Sequence, residues 1–194
     1  MTEIKSYSYS ETEVSFFLAD TTSGEFLWVF FKSDGTNCTI QKVSAHNPLQ
    51  VYFDVEVSVD EIKKASISGS YIYIAVDDAT LIGQRYSLSN PLNTPTNFDL
   101  PAGITEAPVD IIIDTNVYFL IPGDLSGTNA KILEFTTSGT YIQEIDLTGV
   151  NNATSFEMDE NDEIRVITYT SPVQFVRVYD LDTTPQFSTT NITD

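Results

Sequence analysis

Carboxylates are the abundant reactive groups of this chain, and three of them recur at a regular spacing. Asp34, Asp78 and Asp124 stand 44 and 46 residues apart, each in a short polar turn after an apolar run, while the fourth position of the series holds Ser171-Pro172. Three carboxylates around one opening would attract Ca²⁺ or a basic partner. The simpler reading takes precedence: Asp is a good turn residue. A second group, Asp159, Glu160, Asp162 and Glu163, offers a cation cluster but occupies another turn and lacks the Asp-x-Asp-x-Asp-Gly spacing of an EF-hand loop. The single His46 lies in Ala45-His46-Asn47-Pro48 with no serine or cysteine motif at nucleophile-elbow spacing, so it reads as an exposed turn residue. The single Cys38 reads as a small packed thiol at the start of a strand. One His and one Cys leave no multi-His zinc site, no Cys cluster and no internal disulfide. No catalytic residue is assigned, and no cofactor beyond a calcium ion.

Trp28, Tyr73 and Tyr118 follow one another at steps of 45 residues. Aromatics in such a series can form a sugar-stacking surface, but on apolar strands they more often fill the core between sheets. The balance of 9 Lys plus Arg against 28 Asp plus Glu, a net charge of -19 and a pI near 4.1, repels phosphate backbones and anionic lipid. Nucleic-acid and membrane-surface functions are thereby disfavoured. A hydrophobic fraction of 41%, with 10 Tyr and 12 Phe in 194 residues, is that of a folded body. Met1-Thr2-Glu3-Ile4-Lys5 lacks the apolar core of a secretion signal, and no apolar run approaches the roughly 18 residues of a membrane span. The expected location is therefore cytoplasmic or within an assembled particle. Asn37-Cys38-Thr39, Asn152-Ala153-Thr154 and Asn191-Ile192-Thr193 match the glycosylation tripeptide, as chance allows in a chain rich in Asn and Thr.

The elements that carry these residues repeat. The most apolar runs, 25–31, 71–76, 117–121 and 164–169, align at Leu27, Ile72, Val117 and Ile164 with spacings of 45, 45 and 47. Val43, Tyr86, Phe135 and Tyr179 close a second series at 43, 49 and 44, and Phe53-Asp54, Phe98-Asp99 and Ile145-Asp146 form a third at 45 and 47. A weaker segment leads each unit: Val14 to Ala19, Lys63 to Ile67, Val109 to Ile113 and Thr154 to Met158. Turn residues such as Ser68-Gly69-Ser70 and Asp114-Thr115-Asn116 separate the segments, and no stretch has sustained helical periodicity.

Four short strands per 45 residues, repeated, predict an all-β chain: a β-propeller of four four-stranded antiparallel blades, as a small four-bladed ring or as half of a larger one. The expected units are 11–57, 58–102, 103–148 and 149–194 within one domain. Second strands covered on both faces should be continuously apolar, as Phe26 to Phe31 and Tyr71 to Val76 are. The third unit, Ala107-Pro108-Val109-Asp110-Ile111-Ile112-Ile113-Asp114-Thr115-Asn116-Val117-Tyr118-Phe119 and then Lys131-Ile132-Leu133-Glu134-Phe135-Thr136-Thr137-Ser138-Gly139, resembles the NHL propeller repeat. The fourth unit, with Val176-Arg177-Val178-Tyr179-Asp180, is similar. The resemblance implies blade grammar along the chain and no catalytic motif.

A ring needs a closing device, because an open array exposes sheet faces and edges. Residues 1–10, with Ile4, Tyr7 and Tyr9, fall in the register of a fourth strand preceding the first unit, and are expected to complete the last blade. Gln186-Phe187-Ser188-Thr189-Thr190-Asn191-Ile192 competes for the same place, which would leave one segment for another chain. The function expected is a non-catalytic interaction or structural module, self-assembling or binding a protein partner, for example as a virion or tail component. Two alternatives stay open: a metal-assisted hydrolase or lyase using acidic residues at the central mouth, and a glycan-binding module.

Overall fold

The computed structural model describes residues 14–20, 24–31, 37–47, 50–124, 126–158, 163–170, 173–180 and 188–191. These form four antiparallel four-stranded sheets, each built from strands consecutive in sequence. Sheet 1 comprises β1 (Val14–Ala19), β2 (Phe26–Phe31), β3 (Cys38–Ser44) and β4 (Val51–Val57). Sheet 2 comprises β5 (Glu61–Ser68), β6 (Tyr71–Asp77), β7 (Leu81–Ser87) and β8 (Thr96–Asp99). Sheet 3 comprises β9 (Asp110–Ile113), β10 (Val117–Ile121), β11 (Ala130–Phe135) and β12 (Tyr141–Leu147), and sheet 4 β13 (Ala153–Met158), β14 (Glu163–Thr170), β15 (Val173–Asp180) and β16 (Ser188–Asn191). Among the described residues there is no helix, hence none long and apolar enough to cross a membrane.

The repeat acts through strand pleating. Successive side chains on a strand point to opposite faces, so a second strand made wholly of apolar residues furnishes two buried surfaces. Trp28, Phe30 and Ile40 project from the forward face of sheet 1 onto Ile72, Ile74 and Val76 on the rear face of sheet 2. Tyr73, Ala75 and Phe98 on the forward face of sheet 2 meet Val117, Phe119 and Phe135 of sheet 3. Tyr118, Leu120 and Ile132 then meet Phe156, Ile164 and Val166 of sheet 4. Each fully buried aliphatic or aromatic side chain contributes about 1.5–3 kcal/mol, so these three interfaces hold the stack together. The inner strands run side by side, with β9 against β5 on one flank and β13 on the other.

Local detail keeps the sheets close. The inner strands of sheets 1, 2 and 4 shift register by one residue at Val14/Phe16, Ile62/Lys64 and Ala153/Ser155, a bulge that increases local twist. Gly83 is required by packing: a Cβ there would lie 2.6 Å from the Ile74 carbonyl oxygen and from the Phe119 ring of the next sheet. Gly139, at φ 93°, turns the β11–β12 hairpin onto sheet 2, where a Cβ would lie 2.4 Å from the Asn97 carbonyl oxygen. Arg85 ties the same two sheets, donating to the Thr137 carbonyl and to Thr96 Oγ1 at 2.9 Å while lying over the Tyr71 ring.

Each sheet ends at its own fourth strand. In sheet 4 the place beside β15 is taken by β16, from the C-terminal segment that competes for it in the sequence. Ile4, Tyr7 and Tyr9 lie outside the described residues.

Candidate functional site

The loops joining second and third strands emerge from the same end of their sheets, and two recurrent aspartates lie there. Asp78 Oδ1 accepts from the Thr80 N–H and hydroxyl, both at 2.8 Å, and from the Leu81 N–H at 3.0 Å. Burial alone would raise its carboxyl, but these donors bring it below the ordinary range. Asp124 accepts from the Ser126 hydroxyl and N–H at 2.7 and 2.8 Å and from the Thr128 N–H and hydroxyl, both at 3.0 Å. The Ser126 hydroxyl, followed by the Thr128 N–H, holds the Asp124 carboxyl down to about 2. Both carboxylates are thus turned back into their own loops, the arrangement a turn residue adopts. Asp34, the third of the series, lies outside the described residues, as do Asp159, Glu160 and Asp162, while Glu163 opens β14. Among the described residues no group of three His, Cys, Asp or Glu is placed to hold a metal ion.

The remaining sequence candidates are distributed through the stack. His46 is exposed in the β3–β4 turn, where its backbone N–H donates to Ser44 Oγ at 3.2 Å. Cys38 is buried between sheets 1 and 2, its Sγ 3.6 Å from the Val59 carbonyl. Trp28, Tyr73 and Tyr118 are all buried in forward faces, so they form core between sheets. Burial, together with the Glu134 carboxylate, pushes the Tyr118 phenol up to about 12.

Three polar groups that the spacing of motifs did not single out join elements at depth. Asp110, buried on β9, accepts from its neighbour's Ile111 N–H at 3.0 Å and from the Phe156 N–H on β13 at 3.2 Å, and faces Lys64 of β5 at 3.7 Å. One carboxylate therefore touches three successive inner strands. Glu134 gathers Asn116 at 2.6 Å, Gln143 at 2.7 Å and the Tyr118 hydroxyl at 3.3 Å. Lys42 reaches Asp20 at 3.0 Å while covering the Phe26 and Trp28 rings. The signal for Asp110 and Glu134 was present in the chain: each is a lone acid inside an apolar run, Val109-Asp110-Ile111 and Leu133-Glu134-Phe135.

The two ends of the stack differ from its middle. On β14, Ile167 aligns with Phe30, Ala75 and Leu120, which are fully buried, yet Ile167 is 38% exposed. On β1, Phe17 pairs with Val29 as Ala65 pairs with Ile74, Ile111 with Phe119 and Phe156 with Val166. Those three counterparts are buried, whereas Phe17 is 57% exposed. The rear face of sheet 1 also bears a groove of about 430 Å³ lined by Phe31, Thr39, Gln41, Asp54 and Glu56. Phe17 and the groove flank the small cluster of Val29, Phe31 and Val43 on that face.

No family model and no curated protein matches the sequence. Among solved structures, the chain is similar to a prolyl endopeptidase at a TM-score of 0.55 and 12% identity, over 86% of this chain. It is also similar to a eukaryotic initiation factor at a TM-score of 0.44 and 12% identity, over 92% of this chain. The chain spans 25% of the length of the first and 55% of the second. The likeness to the prolyl endopeptidase is one of fold, and the four antiparallel four-stranded sheets are consistent with a propeller-like arrangement.

Proposed function

We propose that this chain is a non-catalytic, propeller-like module for protein interaction or structure, a part of a larger assembly such as a virion or tail appendage. The observation that carries this reading is the pair of incompletely covered sheet faces at the two ends of the stack, where Phe17 and Ile167 are exposed at positions buried everywhere between. The buried acids Asp110 and Glu134 support it, since each holds strands together rather than facing an opening. The blades of the third and fourth units follow NHL-like grammar in this reading, and the end faces are where the propeller is completed.

The test sets stable binding against turnover. The purified chain is assayed on ester, lactone and glycan panels with and without millimolar calcium, and its melting is followed in parallel. The module reading expects no turnover and an unmoved melt, because Asp78 and Asp124 already use their carboxylates within their own loops. Calcium-dependent turnover, with a melt raised by several degrees, would establish instead the metal-assisted enzyme that the acidic mouth suggests.

A further inference from the structure

The three interfaces within the chain follow one rule: the forward face of a sheet packs on the rear face of the next. Applied to four sheets, the rule leaves one face of each kind over, the rear of sheet 1 and the forward of sheet 4. Both bear apolar residues at the repeat positions used internally, Phe17 and Ile167, and both residues remain exposed within the same chain. Had these faces met each other in one chain, their apolar residues would be buried as their six counterparts are.

We infer that the forward face of sheet 4 docks on the rear face of sheet 1 of a second copy of this chain, and that the same contact made twice closes a two-chain ring of eight sheets. This rests on the module reading above and names its partner. The contact continues an interface that the chain already makes three times, with the same strand order and the same alternation of faces. A head-to-tail contact of this kind consumes both surfaces when the ring closes. Asp54 and Glu56 line the groove on the rear of sheet 1, while Arg165 and Glu157, 3.7 Å apart, stand together on the forward face of sheet 4. The net charge of -19 on each copy repels at long range, so association should strengthen with added salt.

The experiment is light scattering on a sizing column for the full chain over a range of concentrations, at low and moderate salt. The expected mass is twice 21.6 kDa, with dimer favoured by salt. Phe17→Asp and Ile167→Asp, both at exposed positions, should each weaken association at least tenfold while leaving the far-ultraviolet circular dichroism unchanged; Phe17→Leu should retain it. Mixing the two Asp variants in equal amounts restores one of the two contacts, the intact forward face of Phe17→Asp on the intact rear face of Ile167→Asp, so an open heterodimer weaker than the wild-type dimer is expected. A wild-type chain that stays monomeric at every concentration and salt overturns the inference, as does a dimer that survives either Asp substitution. A monomer whose melting falls sharply in both Asp variants overturns it too, since the faces then meet within one chain. None of these failures bears on turnover, so the module reading is judged separately by the assays above.

Discussion

Replacing Asp110 by Asn removes a charge and one acceptor oxygen while keeping the shape of the side chain. In the native chain one carboxylate oxygen accepts from the Ile111 N–H at 3.0 Å and the other from the Phe156 N–H of the neighbouring sheet at 3.2 Å. An Asn amide can turn its oxygen to either donor but not to both, so an N–H is left facing an NH₂. Hydrogen bonds to charged groups contribute about 1.5–3 kcal/mol each, and a buried donor without a partner costs about 1–3 kcal/mol. Removing a desolvated charge offsets part of that loss. The net destabilisation expected is about 2 kcal/mol. At about 2–4 °C per kcal/mol for a chain of this size, the melting temperature should fall by about 4–8 °C. Differential scanning calorimetry of the wild type, Asp110→Asn and Lys64→Met measures it. Lys64 is half exposed and 3.7 Å from the carboxylate, so its loss should cost about half a kcal/mol, or about 1–2 °C, and that cost should vanish in high salt. An Asp110→Asn melt within about 1 °C of wild type, or one matched by Lys64→Met, would refute the view that the β13 contact carries the effect.

Two further perturbations address packing and the turn carboxylates. Gly83→Ala places a methyl group 2.6 Å from the Ile74 carbonyl and the Phe119 ring, an overpacking expected to cost about 1–3 kcal/mol; an unchanged thermal melt would mean that the two sheets are not in contact there. The Asp124 carboxyl titrates at about 2 in the folded chain against the ordinary 3.8, so the stabilisation it supplies is complete above about pH 4 and is lost as the pH falls toward 2. The difference in melting temperature between wild type and Asp124→Ala should therefore be constant from pH 7 to 5 and narrow below pH 4; a gap that persists to pH 2 would show that the ionised carboxylate is not its source.

Strand positions were legible because the apolar runs are long and doubly buried. Val117–Ile121 and Tyr141–Leu147 coincide with the expected segments, and the other second strands differ by a residue or so at their ends. The fourth strand of sheet 4 was legible only as a competition, since residues 1–10 and 186–192 share one register and spacing cannot choose between them. The functional candidates were less legible for a physical reason: a turn and a cation site select the same residue. Asp78 and Asp124 satisfy the turn through Thr80, Ser126 and Thr128, partners two to four residues onward that the repeat spacing does not weigh. Asp110 stands in no local cluster because its partners, Lys64 and Phe156, lie 46 residues to either side, one repeat away.

That one-repeat separation also locates where function should be sought. Between the sheets of the stack, the facing side chains are answered by the next copy of the repeat: Tyr73 by Phe119 and its neighbours, Tyr118 by the sheet 4 core, Asp110 by β13. A residue so answered is used for cohesion and is unavailable to a partner. At the ends the answer falls outside the repeat, so Phe17 and Ile167 keep the identities the pattern demands without the burial that normally accompanies them. Exposed apolar positions carry an aggregation hazard unless something covers them. The occupant proposed for the end faces would account for their apolar character, and the paired Asp substitutions ask directly whether that occupant is the chain itself.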